Sequence, residues 1–168
     1  MKKKNIVLIG FMGCGKSTIG KKLAEVLGYR FQDTDAAIEE IYQKSIPKMF
    51  EEDGEEYFRN AETELLTKLA GTAEGVVLAT GGGMPMRQEN AELLRKIGMV
   101  VFLETKIETI LERLQKDTGR PLADGEDKET RLRLLYETRL PVYRNAAEYC
   151  LDTEHKSAQE IVTEICAL

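Results

Sequence analysis

Lys16 and Ser17 close the stretch Gly10-Phe11-Met12-Gly13-Cys14-Gly15-Lys16-Ser17, which fits the spacing G-x-x-x-x-G-K-[ST] without a gap. Its glycines permit a tight turn and positive φ values that aim successive backbone N–H groups at one anion. The helix expected to start near Lys16 turns its positive dipole end toward the same point. A lysine there reaches the outer phosphates of a nucleotide, and a serine hydroxyl suits Mg²⁺. Gly13, Cys14, Gly15, Lys16, Ser17 and Thr18 are therefore candidate nucleotide contacts, and Ser17 a candidate metal ligand. Cys14 reads as a small filler, since no base for a cysteine nucleophile is evident.

Three further stretches bear on where the phosphate goes. Asp33 and Asp35 form "DTD" at the end of a short expected strand. On an extended chain two such carboxylates project to one side, one toward a metal-bound water, the other toward an acceptor hydroxyl. Alone, Asp35 before "AAIEE" reads as a helix cap; beside a phosphate loop the functional reading is preferred. "DGEEYFRNAE" carries Arg59 and Glu62 among acidic neighbours, and by itself suggests only surface ion pairs. "ATGGGMP" releases Gly81, Gly82 and Gly83 from a buried strand. Bare backbone at the carboxyl edge of an open α/β sheet is where ligands approach.

The elements that must hold these groups alternate. "NIVLIG", "YRFQDTD", "VVLAT", "MVVFLE" and "YCLDT" read as five strands. Between them lie helical patterns: "STIGKKLAEVLG", with Ile19, Leu23 and Leu27 on one face and Gly28 as its stop, "AAIEEIYQ", "DGEEYFRNAETELLTKLAG", "NAELLRKIG" and "IETILERLQK". "TRLRLLYETRLPVYRNAA" reads as a long helix interrupted at Pro141, and Ser157 starts a final helix. Alternation implies an α/β fold, a parallel sheet covered on both faces. One domain is expected over residues 1–168, with a polar, glycine-containing loop near 117–128.

Bulk properties narrow the partners. The 168 residues, 42% hydrophobic and 32% charged, suit one soluble domain with a core. A net charge of −5 disfavours nucleic acid as a partner. No apolar run is long enough to span a membrane, and "MKKKNIVLIG" reads as a first strand, not a signal peptide. Cys14, Cys150 and Cys166 form neither a pairing pattern nor a zinc spacing, and His155 cannot build a histidine metal site. A cytoplasmic setting and a monomer are expected.

"GFMGCGKSTIGKKLA", "DTD", "DGEEYFR..E", "TGGG", "GRPL" and "TRLPVYR" occur in an order and spacing that resembles the shikimate kinase family from Ile6 to the final helix. The resemblance implies a nucleoside-monophosphate-kinase-like, three-layer fold with sheet order 2-3-1-4-5, a helical substrate segment over about 34–62 and a lid over about 114–128. It implies transfer of the ATP γ-phosphate, with Mg²⁺, to the 3-hydroxyl of shikimate, a step toward chorismate and the aromatic amino acids. By motif, Asp35 is the candidate base and a shikimate hydroxyl contact, and Asp33 a water-mediated Mg²⁺ partner. Arg59 and Arg139 would hold the shikimate carboxylate, with Gly81, Gly82, Gly83 and Glu62 beside them. Arg120 of "GRPL" would be the lid arginine over the transferred phosphate, and Arg113 would stack near adenine. The turn "DTEHKSAQ" lacks the proline some members place near adenine, so no adenine contact is assigned there.

Two rivals stay open on the residues. A gluconate or nucleotide kinase would share the architecture, and the paired arginines with "TGGG" favour shikimate only through the resemblance. A catalytically silent binding module would keep the fold, against which stand Lys16, Ser17, Asp33, Asp35, Arg59, Arg120 and Arg139. A nucleotide switch would need a guanine-reading N-K-x-D motif, and none is present.

Overall fold

The computed structural model describes residues 4–117 and 125–168. Strand β1 (Asn5–Ile9) is buried throughout, and its side chains divide between two cores. Val7 and Ile9 face one side with Phe102, Leu94 and Tyr143; Ile6 and Leu8 face the other with Leu23, Val101 and Ile165. This is the period-two division of a central strand with helices on both faces. Strands β2 (Arg30–Asp33), β3 (Val76–Ala79), β4 (Gly98–Glu104) and β5 (Tyr149–Asp152) complete one sheet in the order β2-β3-β1-β4-β5. All four pairings are parallel. The order matches the expectation from the family resemblance.

Helix α1 (Lys16–Leu27) starts after Gly15 (φ 100°) and stops at Gly28 (φ 64°), both in the left-handed conformation that glycine adopts without strain. Beyond β2 come α2 (Thr34–Tyr42), α3 (Ile46–Glu52) and α4 (Glu55–Thr72). Ile38, Met49, Phe58, Ala61 and Leu65 give these three helices a small core of their own. After β3 a 3₁₀ turn (Met84–Met86) leads into α5 (Gln88–Ile97), and after β4 comes α6 (Ile107–Asp117). The chain ends with α7 (Gly125–Ala146), β5 and α8 (Ala158–Cys166). Ser157 starts α8 as the sequence predicts, and the structure adds Glu160 as its partner in a reciprocal capping box.

Two expectations need correction, the interruption at Pro141 and the extended chain through both aspartates. The helix containing Pro141 is not interrupted: α7 runs through it. Proline removes only one amide donor, to the Glu137 carbonyl, and packing of Tyr136, Tyr143 and Ala146 into the core holds the helix on both sides of that gap. Asp35 is not the cap of α2 but lies in its first turn. Asp33 is the cap, its Oδ1 accepting from the Ala36 amide at 3.0 Å. The aspartates therefore share no extended strand; the chain turns helical between them. Of the expected lid, residues 114–117 belong to α6 and 125–128 to α7, while the rest, with Arg120, lies outside the described residues.

Asn5 fastens the end of the sheet away from the loops. Its buried amide donates to the carbonyls of Ala73 (2.9 Å) and Ile97 (2.8 Å), and its oxygen accepts from the Val76 amide (3.0 Å). Asn5→Leu keeps the volume and strands those three groups. It is expected to cost about 3 kcal/mol, a fall of roughly 10 °C in Tm for a chain of this size. Thermal denaturation reads this directly; an unchanged Tm would mean that the three groups find other partners.

Candidate active site at the carboxyl edge of the sheet

The phosphate loop leaves β1 at Gly10 (φ 152°) and turns through Gly13 (φ 78°) and Gly15 (φ 100°). Gly10 has a second constraint, because a Cβ there would fall 2.7 Å from Cys14 Sγ and 3.0 Å from the Leu103 carbonyl. The Lys16 ammonium lies over the loop, donating to the carbonyls of Gly10 (2.6 Å) and Phe11 (3.0 Å). Ser17 Oγ donates to Asp33 Oδ2 at 3.3 Å. Asp33 thus works from both oxygens, one on the helix and one at the loop. A hydroxyl and a carboxylate side by side are hard oxygen donors of the kind Mg²⁺ takes together with phosphate oxygens and water.

A cleft of about 490 Å³ opens beside this loop. It is lined by Gly13, Cys14, Gly15, Lys16, Ser17, Thr18 and Arg113, the candidate nucleotide contacts within the described residues. Arg113 is set by its own bond, donating to the Gly13 carbonyl at 3.2 Å. The same cleft is lined by Thr153 and Lys156 of the β5–α8 turn and by Ala158 and Ile161 of α8. The sequence assigned no contact to that turn. Its position follows from β5 lying beside β4 at the sheet edge, which no local pattern carries.

The acceptor side is organised by the glycine run after β3. Each of its three glycines lies against one candidate side chain. A Cβ on Gly81 would fall 2.6 Å from Asp35 Oδ1, one on Gly82 3.4 Å from Arg139 Nη1, and one on Gly83 2.5 Å from Arg59 Nη2. Side chains at Gly81 and Gly83 would collide with Asp35 and Arg59, while at Gly82 a Cβ would meet Arg139 at ordinary contact distance. Gly82 also approaches the phosphate loop, with its Cβ position 3.6 Å from the Met12 amide nitrogen. Asp35, Arg59, Arg139 and the phosphate loop thus converge on one strip of main chain. Thr34, the middle residue of "DTD", fixes the start of the strip: its buried hydroxyl accepts from the Gly81 amide at 3.0 Å. Sequence reading passed over Thr34, although its place between the two candidate aspartates was the available signal.

Glu62 is fully buried. Its Oε1 accepts from Arg59 Nη1 at 2.6 Å, one turn back on α4. Among the described residues, Glu62 Oε2 and Asp35 Oδ1 are the buried side-chain atoms that lack a hydrogen-bond partner. Oxygens left so inside a protein are costly and mark where a ligand's hydroxyls would be welcomed. Burial pushes the Glu62 carboxyl up, and the bond and charge of Arg59 offset only part of this. Farther out, Thr63 donates to Asn90 Oδ1 (2.7 Å) and Asn90 donates to the Met84 carbonyl (3.0 Å). The helix carrying Arg59 and Glu62 is thereby tied to the turn that follows the glycines.

Asp35 also titrates above the ordinary carboxylate range. Burial is the main cause, Asp33 adds to it, and the charge of Lys16 pulls the other way. The sign for activity follows. If the ionised form works, kcat/KM falls as pH drops through the raised value, so the acid limb lies above about 4, the ordinary Asp range. A pH–rate profile of the wild-type chain checks this; a limb at or below 4 would detach Asp35 from turnover.

Comparison with known proteins assigns the family. The family model described as "Shikimate kinase" matches residues 12–168. The chain belongs to the shikimate kinase family. A shikimate kinase of Thioalkalivibrio sulfidiphilus is 48% identical over 96% of this chain and 84% of its own length. One from Caldanaerobacter subterraneus subsp. tengcongensis is 43% identical over 96% and 94%. Among solved structures, shikimate kinase from Acinetobacter baumannii in complex with shikimate superposes with a TM-score of 0.87. It shares 41% identity and is matched over 98% of this chain and 91% of its own. Shikimate kinases are ATP-dependent phosphotransferases, and the phosphate loop and cleft described above are the parts such an enzyme requires.

Proposed function

We propose that the chain transfers the γ-phosphate of ATP to the 3-hydroxyl of shikimate, in the route to chorismate and the aromatic amino acids. The observation that carries this reading is the glycine run, which sets one carboxylate and two arginines against the phosphate loop. Shikimate is a compact carboxylate with three hydroxyls. Arg59 and Arg139 offer planar forks for the carboxylate. Asp35 and Glu62, each with an unpaired buried oxygen, accept from hydroxyls. A nucleoside acceptor would instead need a base pocket on this side.

Asp35 orients the attacking hydroxyl and takes its proton. It need not be a strong base, because the transition state of phosphoryl transfer is loose and the proton leaves late. Orientation is its larger contribution. Lys16 exchanges the loop carbonyls for phosphate oxygens and stabilises charge that develops on them. Ser17 and Asp33 would hold Mg²⁺, which supplies positive charge between the phosphates when bound. Arg120 would add charge from the lid, by the resemblance of "GRPL".

A cytoplasmic monomer completes the reading. Cys14, Cys150 and Cys166 are free thiols. The exposed apolar side chains Val26, Ile41 and Leu134 stand on three different helices. Among the described residues no helix is long and apolar enough to cross a membrane. The test of the transfer is ³¹P–¹H correlation NMR of the product. A product with coupling to the proton on C3 of shikimate is expected, and no product forms when the metal is chelated beforehand. Phosphate on another hydroxyl would overturn the assigned orientation.

A further inference from the structure

We propose that Tyr143 is a positioning residue of the acceptor site, its hydroxyl pinning the Gly82 carbonyl and thereby setting the glycine run against Asp35, Arg139 and Arg59. The inference rests on the shikimate reading above and adds the part that holds that site in register.

Tyr143 lies on α7, four residues after Arg139, so the two side chains share a helix face. It is fully buried. Its ring stacks on Phe102 of β4, with centroids 5.1 Å apart and planes inclined by 29°. This seat leaves the phenol no latitude, and its hydroxyl donates to the Gly82 carbonyl at 2.5 Å. Gly82 is the middle of the three glycines and the one whose backbone lies against both Arg139 and the phosphate loop. Fixing its carbonyl fixes the peptide plane between Gly82 and Gly83. Glycine backbone has the widest choice of conformations, so three in succession need an outside restraint to present one geometry. Thr34 restrains the first; Tyr143 restrains the second.

A buried tyrosine always seeks a partner for its hydroxyl, and Tyr136 shows that plain case. It lies two turns earlier on the same helix and donates to the Thr105 carbonyl at 2.8 Å. What separates Tyr143 is the carbonyl it chooses. Burial also keeps the Tyr143 hydroxyl protonated, pushed up to about 12 although Arg139 pulls it down. It is therefore a donor across the whole working range of pH.

Tyr143→Phe retains the ring and its stack on Phe102, so the variant folds without the hydroxyl's bond to Gly82 and its interaction with Arg139. Tyr136→Phe is its matched control, losing a bond of the same kind from the same helix. Steady-state kinetics with shikimate and ATP varied in turn, together with melting temperatures, separate the roles. Tyr143→Phe is expected to raise the shikimate KM about tenfold, the scale of one lost hydrogen bond, while the ATP KM stays within about twofold. Tyr136→Phe is expected to lower Tm comparably without that split. An unchanged shikimate KM in Tyr143→Phe, or the same rise in both variants, would overturn the inference. A wild-type chain inactive on shikimate would remove the acceptor reading and this inference with it. An active wild type with an indifferent Tyr143→Phe variant removes the inference alone.

Discussion

Asp35→Asn is expected to lower kcat by at least about 100-fold, the lower end of what a positioned acid–base group contributes, while ATP binding survives. Asparagine keeps the shape and can still donate or accept, but it neither takes a proton nor offers a carboxylate to the attacking hydroxyl. The nucleotide cleft is lined by other residues, so its affinity has no reason to change. The same substitution should not weaken the fold. Asp35 titrates higher in the folded chain than in the unfolded one, chiefly through burial. Between the two values the folded state binds more protons, so stability falls as pH rises, and above both the ionised group remains a standing penalty. Near neutral pH, removing the charge is therefore stabilising. Turnover and nucleotide titration test the first half, and thermal melts at pH 7 the second. Near-normal turnover would leave Asp35 as part of the first turn of α2 and nothing more.

Arg139→Ala is expected to raise the shikimate KM roughly 100-fold and the ATP KM much less. Charge-assisted bonds are worth about 1.5–3 kcal/mol each, and an arginine gives a carboxylate two. Taking the lower value twice yields about 3 kcal/mol, or two factors of ten. Arg139→Lys should recover only part, because an ammonium cannot reproduce the planar fork. Arg139 stands against Gly82, and the residues lining the nucleotide cleft do not include it. Equal rises in both KM values would remove it from the acceptor pocket.

Where local rules decide the structure, the sequence was legible. The phosphate loop, the glycine start and stop of α1, and the capping box of α8 all follow from a few adjacent residues. So do the central strands β1, β3 and β4, whose apolar runs are the middle of the sheet. Helix α3 escaped because seven residues carry too little periodicity and Met49 alone of them is buried. Pro141 misled because its local penalty is overruled by packing on either side. In "DTD", Asp33 and not Asp35 is the helix cap, since the chain becomes helical at Thr34. Thr34, Tyr143 and the β5–α8 wall of the cleft act across 47 or more residues of sequence or through the sheet edge. Their partners are set by topology, and a pattern within one element does not reveal them.

The most direct test of the account is ADP release, followed by a coupled assay with ATP and Mg²⁺, with shikimate, gluconate and a nucleoside monophosphate offered in parallel. Release with shikimate alone is the predicted result. Release with gluconate or the nucleotide and not with shikimate would keep the fold and the phosphate loop and contradict the acceptor site built on Asp35, Arg59 and Arg139.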